Sequence, residues 1–239
     1  MDIIWQGIKQ AFILIFTGDR EVYEILFLTI KVSGSAVLFS MLLGVPTGIF
    51  LRLNRFFGKK LIVALINTGM GLPPVAAGLI VIMFIWRSGP LGFLEIMYTP
   101  VAMVIAQVLI ATPIITGITL AAVQQINPKL REQALSLGAG RLQVFWVLIK
   151  EARLPALAGV MAGFGGVISE VGAVIMVGGN IKGDTRVLTT VTIQMVRMGK
   201  FDIAIALVVI LLVLTFGVNL ALTMIQQKEG IRWIPGSLK

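Results

Sequence analysis

The chain has 239 residues, 57% of them hydrophobic and only 13% charged, with a mean hydropathy of +0.98, a balance that excludes an ordinary soluble domain. It contains no cysteine and no histidine, which removes disulfide frameworks, thiolate metal sites and the usual zinc and iron ligands. The net charge of +9 points either to nucleic acid or to basic residues crowded into the loops on one side of a membrane, and position decides between the two.

Residues 1–17 read as an N-terminal interfacial helix, with Ile3, Ile4, Trp5, Ile8, Phe12 and Ile15 at helical spacing around Gln6, Lys9 and Gln10. The stretch falls short of the ~20 apolar residues of a span and lacks the basic start and cleavage site of a removed signal peptide. A tilted sixth span is the alternative. Residues 24–225 form one membrane domain with five predicted transmembrane helices, at 24–51, 60–86, 99–122, 154–178 and 203–225. Each is long enough to cross a hydrocarbon core of about 30 Å. The expected fold class is all-α integral membrane, and no internal repeat or linker divides it.

The first span carries Lys31 and the fourth Glu170, the two ionisable side chains placed well inside spans. Both lie about 10–12 Å from the same membrane face by the helical rise. An intramembrane charge is relieved by an opposite charge at matching depth, so a Lys31–Glu170 pair is expected; a direct role for either in moving an anion is the alternative. Pro73 and Pro74 interrupt the second span, and Pro113 follows Thr112 in the third. Proline frees carbonyls, which lipid tolerates only where they face protein or a watery path. Thr68, Pro73, Pro74, Thr112 and Ser169 are therefore candidates for a translocation pathway, with Ser33 and Thr116 as further hydroxyls. Packing kinks and close helix contacts are the competing account.

Basic residues sort sharply between the two sides. Arg52, Arg55, Lys59 and Lys60 follow the first span, Lys129, Arg131, Arg141, Lys150 and Arg153 the third, and Lys228, Arg232 and Lys239 the fifth: twelve basic residues against three acidic ones. The other side holds seven of each. The positive-inside rule puts the twelve in the cytoplasm, with the N-terminus outside and the C-terminus inside a cytoplasmic (inner) membrane. Charge spread over three short loops is not the footprint of a nucleic-acid binder.

The cytoplasmic connection at 127–152 reads as two short helices. Asn127 can cap the first and Pro128 suits its first position, and the second runs from Leu142 to Ala152 after Gly138 and Gly140 turn the chain. Ala134 and Gly138 are expected on one smooth face, with Glu132 about half a turn away. On the opposite side, 178–200 is a Gly-rich run with Lys182 and Arg186, which suits a docking site or a plain loop; it lacks the spacing of an ATP-binding P-loop.

Glu132-Gln133-Ala134, three residues and then Gly138 resemble the EAA-type loop of the permeases of binding-protein-dependent ABC importers, with Gln133 in place of the middle alanine and Leu154-Pro155 about a turn beyond the common closing position. Asn67-Thr68-Gly69-Met70-Gly71-Leu72-Pro73-Pro74, the segment 87–92, Ser169-Glu170-Val171-Gly172-Ala173 and Val177-Gly178-Gly179-Asn180-Ile181 resemble tungstate-type permeases, relatives of the molybdate permeases. The resemblance implies a type I ABC importer transmembrane fold and a homodimer around one pathway. It implies two ATP-binding cassette subunits docked at Glu132, Gln133, Ala134, Gly138 and Arg141, and an extracytoplasmic substrate-binding protein. The implied cargo is an oxyanion, tungstate first, with molybdate or another small anion as alternatives. ATP and Mg would be used by the partner ATPase; no cofactor, metal or catalytic residue is expected in this chain. The rivals are a stand-alone secondary transporter or channel, for which Glu170 alone supplies little ion coupling, and a membrane enzyme, for which His, Cys and paired carboxylates are missing.

Overall fold

The computed structural model describes residues 2–231, and within them every side chain except those of residues 2, 128, 131, 141 and 228–231. Arg232 and Lys239, used above for sidedness, lie outside the described residues, as does the side chain of Lys228. The regular structure of the described residues is entirely helical.

Three helices are long and apolar enough to cross a membrane by length and composition: α2 (Arg20–Leu53), α5 (Pro100–Gln125) and α10 (Phe201–Ile231). Two more spans are broken. Helices α3 (Lys59–Met70) and α4 (Pro74–Ile85) meet at 111°, and α7 (Arg141–Ile168) and α8 (Gly172–Gly178) at 59°. By length and composition these make three spans, or the expected five if each bent pair counts as one; the break in the second was expected at Pro73-Pro74, and the one in the fourth was not. At the first elbow the cause lies in the sequence, because Pro73 and Pro74 deny the chain two consecutive amide donors. Pro113, by contrast, sits inside an unbroken α5.

The remaining helices are short: α1 (Asp2–Phe16), α6 (Pro128–Ser136) and α9 (Leu188–Arg197). The expected second loop helix does not stand apart. It is the first part of α7, which runs through Pro155. The reason is the buried stripe Val144, Leu148, Ala152, Ala156 and Val160, which continues at four-residue spacing across the proline. Similarly, the run at 178–200 is more than a loop, since α9 buries Leu188 and Val191 against Val22, Ile25 and Leu207.

Between helices in lipid there is little hydrophobic drive, so association depends on close packing of small residues. The stripe Ser40, Gly44 and Gly48 on α2 supplies this against α5. A methyl group at Gly48 would stand 2.9 Å from the Thr116 carbonyl oxygen and 3.0 Å from the Leu120 amide nitrogen, and one at Gly44 would stand 3.0 Å from Thr116 Oγ1. On α7, Gly159 and Gly163 take Ile118 and Ile115 of α5 in the same manner. Gly7 and Ala11 seat α1 on α10 around Ile205, leaving Phe12, Ile13 and Phe16 facing outward.

The two ends of this bundle collect different loops. At one end Lys182 and Arg186 both bind the carboxylate of Glu21, and the Tyr98 amide donates to the Val177 carbonyl at 2.9 Å. At the other, Arg52 and Leu53 line one small cavity with Asn127 and Glu132. Loops assigned to one side by charge thus meet one another in space.

Candidate coupling segment and translocation path

The segment after α5 is built by local caps. Asn127 Oδ1 accepts the Lys129 amide at 3.0 Å, and Pro128 occupies the first turn of α6. The helix closes where Gly138 turns into the left-handed region at φ 82°, letting the Ala139 amide reach back to the Ala134 carbonyl at 3.0 Å. The Gly140 amide then donates to Gln143 Oε1 at 2.7 Å, starting α7. Leu130, Ala134 and Ala139 pack inward against Val123, Val144, Leu148 and Ala152.

This geometry corrects the expected outward face. Ala134 is partly buried within its own chain, and Gly138 lies past the end of α6 rather than on its surface. Glu132, Gln133, Leu135, Ser136, Leu137 and Gly138 are exposed, Leu137 at 88%. Leu137 thus stands as an apolar knob at the turn that closes α6. The side chain of Arg141 lies outside the described part.

The second feature is a pair of helix breaks lying side by side. A methyl group at Gly172, the first residue of α8, would come within 3.1 Å of Val75 Cγ2 in α4, and one at Gly78 within 2.9 Å of Ala173 Cα. The elbow at Pro73-Pro74 and the break at 169–171 are therefore adjacent. Irregular backbone inside a membrane requires partners for its released groups, and the second break has them. Ser169 Oγ donates to the Gly165 carbonyl at 2.8 Å. Gln107 Nε2 donates to the Val167 carbonyl at 3.0 Å. Thr189 Oγ1 donates to the Glu170 carbonyl at 3.2 Å, and Glu170 Oε1 accepts the Ala173 amide at 2.9 Å.

These bonds decide the fate of the expected charge pair. Glu170 is 7% exposed and its carboxylate caps α8, whereas Lys31 is exposed on α2. Among the described residues no ion pair joins them. The depth argument placed both at one level but could not say which way each helix face points. A carboxylate next to a broken helix has a nearer partner in the freed amides.

The hydroxyl candidates divide into two groups. Thr112 Oγ1 donates to Ser40 Oγ at 3.2 Å, Thr116 Oγ1 donates to the Thr112 carbonyl, and Ser33 is 2% exposed. These three belong to the interior of the helix packing rather than to an open path. Thr68, Pro73, Pro74 and Ser169 are exposed around the paired breaks, although Thr68 and Ser169 each donate to their own helix, to the Ala64 and Gly165 carbonyls. Gln107 and Thr189 escaped the sequence reading. A glutamine midway along an apolar helix was the available signal for the first.

Residues 41–230 match the family described as the binding-protein-dependent transport system inner membrane component. The chain belongs to that family. The permease is 38% identical over 228 residues to the tungstate uptake system permease protein TupB of Peptoclostridium acidaminophilum, covering 95% of this chain and 100% of the relative. It is also 38% identical over 210 residues to a probable anion ABC transporter permease protein of Haloferax volcanii, covering 84% and 90%. Among solved structures, a bacterial ABC transporter involved in the import of the acidic polysaccharide alginate superposes with a TM-score of 0.73 at 18% identity, over 92% of this permease and 83% of that chain. At that identity the likeness speaks for the fold alone. The permease is thus a multi-pass, all-helical transport subunit.

Proposed function

We propose that the permease moves a tetrahedral oxyanion, tungstate in the first place, inward across the cytoplasmic membrane, driven by ATP hydrolysis in partner subunits. Two copies flank one pathway. One ATPase seats under each α6 and uses ATP with Mg, and a substrate-binding protein delivers the anion to the end that carries Glu21, Tyr98 and Lys182. The N-terminus lies outside and the coupling segment inside, in keeping with the twelve basic residues on the latter face.

The observation that carries this reading is the outward surface of the coupling segment: a capped helix and left-handed turn that leave Glu132, Gln133, Leu135 and Leu137 exposed. A rigid-body motion of an ATPase pair pushing on that knob would reach α7 through Ala134, Val144 and Leu148, and at the far end of α7 stand the paired breaks. Tungstate is supported by the name of the Peptoclostridium relative. The exposed part of the path offers hydroxyls rather than a basic stripe, which suits a conduit that must release a dianion as readily as it admits it.

The test is ATP hydrolysis by the reconstituted complex with its binding protein, titrated separately with tungstate, molybdate and sulfate. Stimulation at the lowest concentration by tungstate is the expected result. Stimulation by molybdate or sulfate in preference would replace the cargo, and indifference to all three oxyanions would remove this class of substrate.

A further inference from the structure

The connection from α2 to α3 joins two features that none of the roles above uses. Between Arg52 and Lys60 the sequence places four basic residues and no acidic one. Phe57 projects wholly outside the chain, at 105% exposure. Beside it, the last turn of α2 and the start of α7 enclose a groove of about 530 Å³. Its walls are apolar, with Phe50, Leu53, Leu135 and Phe145, and its lining includes Asn54 and Arg55 but no acid. Lys59 is held at the same place, its Nζ donating to the Asn54 carbonyl at 3.0 Å.

An apolar slot with two cations beside it, set at the end of a membrane-crossing helix, is complementary to one kind of molecule. We propose that this groove binds an anionic phospholipid, with the phosphodiester on Arg55 and Lys59, the upper acyl carbons against Phe50, Leu135 and Leu142, and Phe57 inserted among neighbouring lipid tails. The phosphate needs cations free of carboxylates, and the groove offers them. The tails need an apolar wall at headgroup depth, and Leu142 presents one at 70% exposure. Since Leu135 belongs to α6 and Leu142 to α7, a lipid here wedges between the end of α2 and the coupling segment, and so influences how firmly that segment is held. The inference depends on the proposed function only for naming the leaflet as cytoplasmic.

The experiment places the photo-cross-linker p-benzoylphenylalanine at Leu142 in the full chain, in phosphatidylcholine vesicles holding a tenth of phosphatidylglycerol, and identifies the attached lipid by mass spectrometry. Each basic residue near a membrane surface favours an anionic lipid by ~1 kcal/mol, about fivefold. The phosphatidylglycerol to phosphatidylcholine ratio in the adducts should therefore exceed that of the bilayer by roughly fivefold or more. It should fall about fivefold or more toward the bilayer ratio with Arg55→Gln and Lys59→Gln together and be retained in Arg55→Lys, which keeps the charge and checks that the chain is intact. Adducts in the bilayer ratio for the unaltered charges, or enrichment that survives the double change, would overturn the proposal. So would adducts to the ATPase instead of lipid when the assembled complex is irradiated.

Discussion

A glutamine inside a membrane helix is costly unless its amide is used, and Gln107 uses its donor on the Val167 carbonyl, where α7 ends. Its Oε1 has no partner, so its place is set by the break rather than by its own satisfaction. Glu170 answers the same break from the other side. Substituting Glu170→Gln keeps an oxygen acceptor for the Ala173 amide and should retain most transport, while Glu170→Ala removes a helix cap at a cost of ~0.5–2 kcal/mol. Thermal unfolding in detergent together with uptake would separate the two. Equal loss in both variants would mean that the charge matters and not the cap. Because Lys31 and Glu170 do not meet, Lys31→Met and Glu170→Gln should be additive within ~0.5 kcal/mol in a double-mutant cycle; strong rescue in the double variant would restore the pair, made between copies if not within one. At Gly48 the argument is steric. The Thr116 carbonyl and Leu120 amide are backbone atoms that cannot swing aside, so Gly48→Ala should destabilise by ~1–3 kcal/mol, and an unchanged unfolding temperature would show that α2 and α5 can separate.

Among the elements, long apolar helices were legible and their breaks were not equally so. Hydropathy located α2, α5 and α10 because each sustains the apolar run that a ~30 Å core demands. The Pro73-Pro74 elbow could be read because proline chemistry is local. The break at 169–171 could not, since Ser169, Glu170 and Val171 contain no obligate breaker, and what holds it open comes from Gln107 and Thr189, 62 residues before and 20 residues after Ser169. The coupling segment shows the same division. Asn127-Pro128 and Gly138 announced its ends, but the direction of Ala134 depended on Val144 and Leu148, which a single-helix pattern does not contain. Pro155 shows the same division: a proline argues locally for a boundary, but the buried stripe along α7 carries the helix through it.

For the whole molecule, one prediction concerns sidedness. The chain has no cysteine, so single cysteines report accessibility cleanly. Lys182→Cys should react with a membrane-impermeant maleimide in intact cells, and Leu137→Cys only after the membrane is opened; the reverse order would invert the orientation proposed from charge. The helix packing gives the mechanical picture its plausibility. Breaks in α3–α4 and α7–α8 lie against each other, and α7 runs from them to the coupling segment, so a push at one end is delivered to the region where both broken spans bend. The measurement that tests this most directly is ATP hydrolysis by proteoliposomes holding the permease, its ATPase and the loaded binding protein, with and without Leu137→Asp. The account predicts that the loaded binding protein stimulates the unaltered complex and loses about tenfold or more of that effect in the variant, a charge in an apolar contact costing on the order of 1.4 kcal/mol or more. Full stimulation of the variant would contradict it.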